Sequence, residues 1–239
     1  MRFSTLATDY DGTIAHHGTV DAATVDALQR LKESGRKVLL VTGREIPDLL
    51  NVFPEPLIFD RVVAENGAVL YYPESKRSRA LAEAPPREFS ELLRARGVNT
   101  LSVGQVIVAT VDPYETEVRL AIKELKLGLE IILNKGSIMV LPPNVTKASG
   151  LATALEELRI APANVVGIGD AENDHALLKI CGYGVAVANA LPELKKTAHW
   201  TTPSGHGQGV RELIEKLLTD SILPESGSSL AASREGATV

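Results

Sequence analysis

The chain has 239 residues, 44% of them hydrophobic and 23% charged, with a formal net charge of −5. This composition allows one sizeable core plus a smaller module and leaves no basic stripe for nucleic acid. The chain lacks a secretory pattern, an apolar run near the roughly 20 residues of a membrane helix, and any cysteine besides Cys181. We therefore expect a soluble, cytoplasmic protein without a disulfide, and the sequence does not indicate its oligomeric state.

The first predicted elements are a strand, a helix and a second strand. The apolar run 3–8 predicts a buried strand, and the run 38–41 predicts another. Between them, Asp21 is suited to begin a helix and Gly35 to end it, with apolar residues recurring at helical spacing. This alternation favours right-handed crossovers and a parallel sheet.

A hairpin and an inserted module follow. Residues 62–64 and 68–72 read as two arms around an Asn66-Gly67 turn. The charged, proline-bearing stretch 73–86 breaks the pattern, and we place the start of the insert there. Residues 85–141 then repeat the order helix, strand, strand twice, which predicts a small open-faced α+β sandwich.

The last third of the chain returns to the first module. Its predicted elements are a helix at 147–158, a strand at 165–169, a helix through Leu177 and Leu178, a strand at 184–188, and helices at 193–197 and about 208–218. The predicted core domain therefore comprises residues 1–84 and 142–223, and the inserted domain residues 85–141. Residues 224–239 are expected to be a flexible tail.

Polar residues follow three of the predicted strands. Asp9 and Asp11 come after the first strand, and two carboxylates at i and i+2 of an extended chain point the same way and repel each other unless a cation relieves them. The segment 42–44, Thr-Gly-Arg, ends the second strand, and an acidic cluster at 170–174 follows the third. Ligands bind at the carboxyl ends of strands in open α/β sheets, so we expect these groups to form one site.

The order of these motifs resembles the haloacid dehalogenase superfamily of phosphohydrolases. The matching segments are Asp9-Tyr10-Asp11-Gly12-Thr13, Thr42-Gly43-Arg44, a lone Lys147, and Gly169-Asp170 followed by Asn173-Asp174. The insert is placed as in the subgroup with a type-II cap, its compact form is similar to type IIB, and Glu65-Asn66-Gly67-Ala68 resembles the turn before that cap. The resemblance implies an α/β fold with a Rossmann-like parallel-sheet core and an inserted αββαββ cap.

The same resemblance implies a chemistry and its residues. Asp9 would attack phosphorus to give an aspartyl-phosphate, and Asp11 would act as general acid and then base. Mg²⁺ would be held directly by Asp9, Asp170 and the backbone carbonyl of Asp11, with Asp174 acting through a water molecule or as a further ligand. The residues expected to contact the substrate are Thr42, Gly43, Arg44, Lys147 and Asn173. The implied activity is Mg²⁺-dependent hydrolysis of a small phosphorylated metabolite, such as phosphoglycolate or a sugar phosphate.

Each assignment has a structural alternative. Asp9 and Asp11 could be turn residues, Thr42 a helix cap, Lys147 a solvated lysine, and Asp174 a capping residue. Arg44 either contacts the substrate or only flanks its loop. A phosphomutase of the same superfamily would keep all these motifs, and a phosphorylatable receiver domain would use similar residues without an inserted module.

Other polar residues remain outside the predicted site. Arg119, Lys123, Lys135 and Ser137 of the insert could face either the leaving group or water. His16, His17 and His206 are expected in exposed loops, the last of them within the glycine-rich segment 205–209. Cys181 is expected to be a buried structural thiol.

Overall fold

A computed structural model of the chain describes residues 3–219, so the tail predicted at 224–239 lies outside the described residues. The strands in chain order are β1 Thr5–Thr8, β2 Lys37–Val41, β3 Arg61–Ala64, β4 Val69–Tyr72, β5 Arg77–Ala80, β6 Ser102–Val103, β7 Val108–Val111, β8 Glu130–Asn134, β9 Ser137–Leu141, β10 Val165–Gly169, β11 Tyr183–Ala186 and β12 Trp200–Thr201. The α-helices are α1 Ala22–Glu33, α2 Ile46–Val52, α3 Arg87–Ala95, α4 Glu115–Glu124, α5 Lys147–Leu158, α6 Asp174–Ile180, α7 Pro192–Thr197 and α8 His206–Leu218.

The larger sheet has eight strands in the order β12-β11-β10-β1-β2-β3-β4-β5. Strands β12 to β3 are parallel, and β4 and β5 add an antiparallel edge. The central strands are apolar and buried, as expected of a sheet covered on both faces. This arrangement confirms the predicted α/β class, and it brings the carboxyl ends of β1, β2 and β10 side by side.

The smaller sheet has the antiparallel order β6-β7-β9-β8 and belongs to residues 87–141, which we call the small unit. It has a separate hydrophobic cluster in which Phe89 and Leu93 of α3 pack with Val118 of α4 and with Ile138 and Val140 of β9. Its element order is helix, strand, strand, twice. The predicted αββαββ insert is therefore present.

Several predicted boundaries need correction. Stretch 73–86 contains β5, whose four exposed residues give no alternation of polar and apolar positions. The first strand of the insert, β6, has only two residues, and β12 was not predicted. The run expected at 184–188 pairs only through residue 186. These elements are short or lie at sheet edges, where few side chains are buried.

The segment 205–209 is mostly helical, so the expectation of a loop around His206 was wrong. Gly205 is the N-cap of α8, and His206 is its first residue. A Cβ at position 207 would lie 2.3 Å from the Thr24 hydroxyl, which shows that this glycine permits close packing of α8 on α1. His16 and His17 are exposed as predicted. The ring of His16 packs against the ring of His206 in a tilted arrangement, with the centroids 4.3 Å apart.

Cys181 is buried at the end of α6, as predicted, and burial raises the pKa of its thiol to about 12. Within residues 3–219, no helix combines the length and the apolar character needed to cross a bilayer.

Candidate functional site

Asp9 lies at the carboxyl end of β1 with 4% of its surface exposed. Its nearest cation is Lys147, whose Nζ donates to Asp9 Oδ1 at 2.5 Å. Burial is the main cause that raises the pKa of Asp9 to about 7; Lys147 opposes this shift, and the carboxylates of Asp174 and Asp170 add to it. An acidic side chain in this environment needs a positive partner, and the site supplies one.

Lys147 is the first residue of α5 and is only 1% exposed. The Thr146 hydroxyl accepts a hydrogen bond from the backbone N–H of Ser149, and this capping box fixes the start of the helix. Lys147 Nζ also donates to Asp174 Oδ1 at 2.6 Å. Burial lowers the pKa of Lys147, but the two carboxylates outweigh burial and hold it above its ordinary value. The ammonium therefore bridges Asp9 and Asp174, which excludes the solvated-lysine alternative.

Asp170 and Asp174 come together through a tight turn rather than along one helix face. Asp174 begins α6, and its Oδ2 accepts the backbone N–H of Asp170 at 2.9 Å and of Ala171 at 3.0 Å. Asp170 is fully buried at the end of β10, and burial raises its pKa although Lys135 opposes the shift. The capping alternative for Asp174 was therefore wrong, because Asp174 lies inside α6, one of its oxygens accepts N–H groups of the preceding loop, and the other binds Lys147.

Carboxylate oxygens of Asp9, Asp170 and Asp174 all lie within 4.8 Å of one another. Three buried carboxylates face two ammonium groups, those of Lys147 and Lys135. An all-oxygen donor set with an excess of negative charge suits a hard divalent cation. The residues present therefore fit Mg²⁺.

The approach of the first loop to this cluster requires a glycine. Gly12 has a φ of +84°, and a Cβ at this position would lie 2.1 Å from Asp170 Oδ2. Its carbonyl accepts from Asn189 Nδ2 at 2.8 Å, and the same amide lies 3.5 Å from Asp170 Oδ2. Asn189 follows strand β11 as Asp9 follows strand β1. A search for polar residues after predicted strands could therefore have identified Asn189 as a site residue.

Asp11 lies outside the carboxylate cluster and is exposed. Arg44 binds it with two hydrogen bonds, from Nε to Oδ2 at 2.7 Å and from Nη2 to Oδ1 at 2.8 Å. Arg44 Nη1 also donates to Asp48 at 2.5 Å. The hydrogen bond with Asp11 is the main reason that the pKa of Arg44 lies above its usual range. The guanidinium thus joins two acids at the mouth of the site.

The other predicted substrate contacts surround the cluster. Thr42 is fully buried, and its hydroxyl accepts the backbone N–H of Arg44 at 3.1 Å, which closes the turn after β2. Asn173 Nδ2 donates to Asn66 Oδ1 at 3.0 Å. The Asn173 Oδ1 atom is buried and, within residues 3–219, has no hydrogen-bond partner.

A cavity of about 560 Å³ lies between the large sheet and the small unit. Its lining from the large-sheet side includes Asp9, Asp11, Gly43, Arg44, Lys147, Asp170 and Asn173. Thr42 and Asp174 are fully buried and do not contribute to this lining. The small unit contributes polar residues that include Thr100, Ser102, Asn134, Lys135 and Ser137. The cavity therefore has a carboxylate-rich floor and a mixed polar roof.

The structure orients the four polar residues of the insert. Lys135 lies in the turn between β8 and β9, and its ammonium contacts Asp170 across the cavity. Ser137 also lines the cavity. Arg119 and Lys123 instead border a separate surface depression beside α4. Only the hairpin from β8 to β9 brings a cation of the small unit to the carboxylates.

Comparisons with known proteins agree with this geometry. The sequence pattern of the haloacid dehalogenase-like hydrolase family matches residues 6–113 and 131–214. A phosphoglycolate phosphatase of Methanothermobacter thermautotrophicus is 31% identical over 89% of this chain and 98% of the relative. Phosphoglycolate phosphatase 2 of Saccharolobus solfataricus is 30% identical over 90% of this chain and 92% of the relative. A solved subclass IIB sugar phosphatase superposes with a TM-score of 0.70 at 17% identity, over 91% of this chain and 98% of the other.

Proposed function

This chain belongs to the family of haloacid dehalogenase-like hydrolases and is a phosphatase, and we propose that it hydrolyses a small phosphomonoester with Mg²⁺ through an aspartyl-phosphate. The observation that carries the proposal is the buried cluster in which Lys147 bridges Asp9 and Asp174 beside Asp170. The cluster lies at the floor of a cavity large enough for a small metabolite. A structural ion pair alone would not require three carboxylates at one point.

In the proposed reaction, an oxygen of Asp9 forms a bond to phosphorus while the bond from phosphorus to the leaving oxygen breaks. Lys147 orients Asp9 for this attack, because its ammonium holds one carboxylate oxygen. Asp11 gives a proton to the leaving alkoxide and later takes one from the water that displaces Asp9. To do so, Asp11 leaves Arg44, which stays anchored on Asp48.

The residues that would hold Mg²⁺ are Asp9, Asp170 and Asp174, with the backbone carbonyl of Asp11 as a further ligand implied by the family. The bound cation would neutralise charge between the phosphoryl group and these carboxylates. Gly43, Arg44 and Asn173 line the cavity, and we propose that the turn 42–44 and Asn173 contact the phosphoryl oxygens. The second N–H of Asn173 Nδ2 is the donor for such a contact, and the unpartnered Oδ1, an acceptor, suits a hydrogen-bond donor of the ligand.

The test is release of inorganic phosphate from p-nitrophenyl phosphate, phosphoglycolate and hexose phosphates, with Mg²⁺ or with EDTA. We expect Asp9→Asn to lower kcat by about 1,000-fold or more, since it removes the nucleophile. Asp26→Asn, an exposed carboxylate on α1 that pairs with Arg30, is the matched control. Release that survives Asp9→Asn would contradict the proposal, and phosphate that reappears on a second hydroxyl would identify a phosphomutase.

Within this function, we propose a carboxylate-bearing substrate such as phosphoglycolate. The charged groups Arg44 and Glu45 of the cavity lining already have partners. Arg44 pairs with Asp11 and Asp48, and Glu45 accepts a hydrogen bond from Ser102. Lys135 is the cation that the small unit places in the cavity. A Mg²⁺ ion on Asp170 would free Lys135 to bind an anionic leaving group. The names of the two relatives support this choice.

Lys135→Met should therefore lower the preference for an anionic leaving group. We expect the ratio of kcat/KM for phosphoglycolate to that for 2-hydroxyethyl phosphate to fall by about tenfold, the loss of one charge-assisted hydrogen bond. Lys126→Met is a close control, because Lys126 also lies in the small unit with a positive φ, +53° against +48° for Lys135. An unchanged ratio in Lys135→Met would show that Lys135 does not bind the anionic leaving group.

A further inference from the structure

Glu65 is a buried acid whose role lies outside the reaction steps above. It is 1% exposed, and its carboxylate crosses to the small unit. Oε1 accepts the backbone N–H of Gln105, and Oε2 accepts those of Val106 and Ile107, all at 2.8 Å. Three backbone donors on one carboxylate form an anchor of the kind usually found where an anion is bound.

The backbone at Glu65 is unusual in a way that serves this contact. Glu65 and Asn66 have φ values of +50° and +55°, a conformation that costs free energy for non-glycine residues. On the other side of the contact, a Cβ at Gly104 would lie 2.6 Å from a carboxylate oxygen of Glu65. The backbone conformation at Glu65 and the glycine at position 104 therefore both allow the carboxylate to reach the turn at 104–107.

The turn 65–67, which includes Glu65, also contacts the segments that carry the site residues. The N–H groups of Glu65 and Asn66 donate to the carbonyls of Arg44 and Thr42, each at 3.0 Å. The Asn66 side chain accepts from Asn173 in the acidic loop. Gly67 lies so close to the start of α5 that a Cβ there would be 1.9 Å from the carbonyl oxygen of Thr146. One three-residue turn thus contacts the 42–44 turn, the acidic loop and the start of the lysine helix.

The anchored segment leads directly into the roof of the cavity. Ile107 lines the cavity, and β7 begins at the next residue. Ala109 of β7 pairs with Met139 of β9, the strand that follows the Lys135 turn. A rotation of the small unit about the 104–107 turn would therefore move the roof, including Lys135, relative to the carboxylates.

We propose that Glu65 is a positioning residue that fixes the small unit over the phosphate site and so aligns the roof with the leaving group. It acts through the backbone of residues 105–107 and makes no contact with substrate. This inference rests on the proposed function for the identity of the ligand below the roof. The anchor itself is a contact between two parts of this chain.

Two variants break the anchor from opposite sides. Glu65→Gln is isosteric, but it turns an acceptor into an N–H₂ group facing backbone donors. Gly104→Ala keeps the glutamate at position 65, but the added methyl group on the small unit displaces its carboxylate. Glu157→Gln is the control, because this acid pairs with Tyr72 and Arg79 at the far edge of the large sheet.

The first readout is hydrogen exchange of the amides of residues 105–107. We expect exchange to become faster by about tenfold or more in both anchor variants and to stay as in wild type in Glu157→Gln. The second readout is calorimetric binding, in excess Mg²⁺, of inorganic phosphate and of 3-phosphonopropanoate, which carries a carboxylate and cannot be hydrolysed at a phosphate ester. Phosphate reports the floor alone, and the analogue reports floor and roof together.

The proposal expects a selective loss. The ratio of the analogue's Kd to the phosphate Kd should rise by about tenfold in both variants, since a misplaced roof weakens only the second ligand. Retained amide protection, or an equal weakening of both ligands, would overturn it. Failure of the proposed function has a different signature, because wild-type protein would then bind neither ligand while the exchange rates would still report the anchor.

Discussion

Gly12 shows how a single residue controls access to the carboxylate cluster. Its φ of +84° would strain any side chain, and a Cβ would also enter the space of Asp170. Gly97 offers a control for the first effect, since its φ is +83° and nothing lies within 4 Å of a Cβ built there. The two positions therefore separate backbone strain from displacement of Asp170.

We predict that Gly12→Ala and Gly97→Ala each lose about 1 to 2 kcal/mol of unfolding free energy through strain. Only Gly12→Ala should also weaken Mg²⁺ binding, by about tenfold or more, because Asp170 must move away from Asp9 and Asp174. Titration calorimetry with Mg²⁺ and denaturant unfolding would measure both effects. Equal Mg²⁺ affinity in the two variants would mean that Asp170 does not hold the cation.

At this scale, the sequence is informative about residues that follow buried strands and much less about the others. The proximity of Asp9 and Asp170 follows from adjacent parallel strands, because β1 pairs directly with β10. The bidentate pairing of Arg44 with Asp11 and the reach of Lys135 across the cavity depend on side-chain conformations and on the orientation of a hairpin. No local pattern encodes either.

Among the helices, α1 is stabilised by a residue that also links it to α8. Asp21 Oδ1 accepts the backbone N–H of Thr24 at 2.8 Å, and both oxygens of Asp21 accept from Arg211 of α8. Burial raises the pKa of Asp21, but these hydrogen bonds outweigh burial and hold it below 3.8. The ionised form is therefore the one that the fold favours.

We predict that Asp21→Ala lowers the unfolding free energy by about 1 kcal/mol at neutral pH through the lost cap. Asp21→Asn should keep the cap and remove the negative charge that pairs with Arg211. Because the folded pKa is depressed, the charge contribution is present above 3.8 and disappears as the pH falls through the folded value. Denaturant unfolding across this range should show a smaller pH dependence in Asp21→Asn than in wild type, and identical slopes would contradict the assignment.

Element boundaries were predictable where burial is continuous. The helix at 147–158 and the strand at 165–169 have the predicted bounds, because a capping box begins α5 and every residue of β10 is buried. Strands β5 and β12 were missed, since neither has a buried residue. Glycines at 207 and 209 indicated a loop, but in α8 they permit close packing, a tertiary cause that a sequence pattern does not reveal.

For the molecule as a whole, the repeat of helix, strand, strand predicted the small unit but not its placement. Polar contacts from outside the hydrophobic clusters help to set that placement, and they include Glu65 on the 104–107 turn, Ser102 on Glu45, and Lys135 on Asp170. All three join residues far apart in sequence, so their pairing depends on the assembled fold. Each of them involves a residue of the cavity lining, which is Ile107 in the case of Glu65, and this links the position of the small unit to the occupancy of the site.

The excess negative charge of the site should make the stability of the entire protein depend on Mg²⁺. Among residues 3–219, the cations paired with Asp9, Asp170 and Asp174 are Lys147 and Lys135, so a cation that binds the folded state and not the unfolded chain must stabilise it. At a Mg²⁺ concentration 100-fold above Kd, the expected gain is about 2.7 kcal/mol. For a chain of this size, that gain corresponds to a Tm increase of about 5 to 10 °C.

Asp170→Asn provides the comparison that assigns this stabilisation to the cluster. In EDTA its Tm should equal or exceed that of wild type, because the substitution removes one of three mutually repelling carboxylates while Lys147 keeps both of its partners. In Mg²⁺ its Tm should rise by only a small part of the wild-type increase, since a neutral amide is a poor substitute for a carboxylate ligand. Scanning calorimetry of both proteins in the two buffers measures this, and an equal rise in both would place the stabilising cation elsewhere on the molecule.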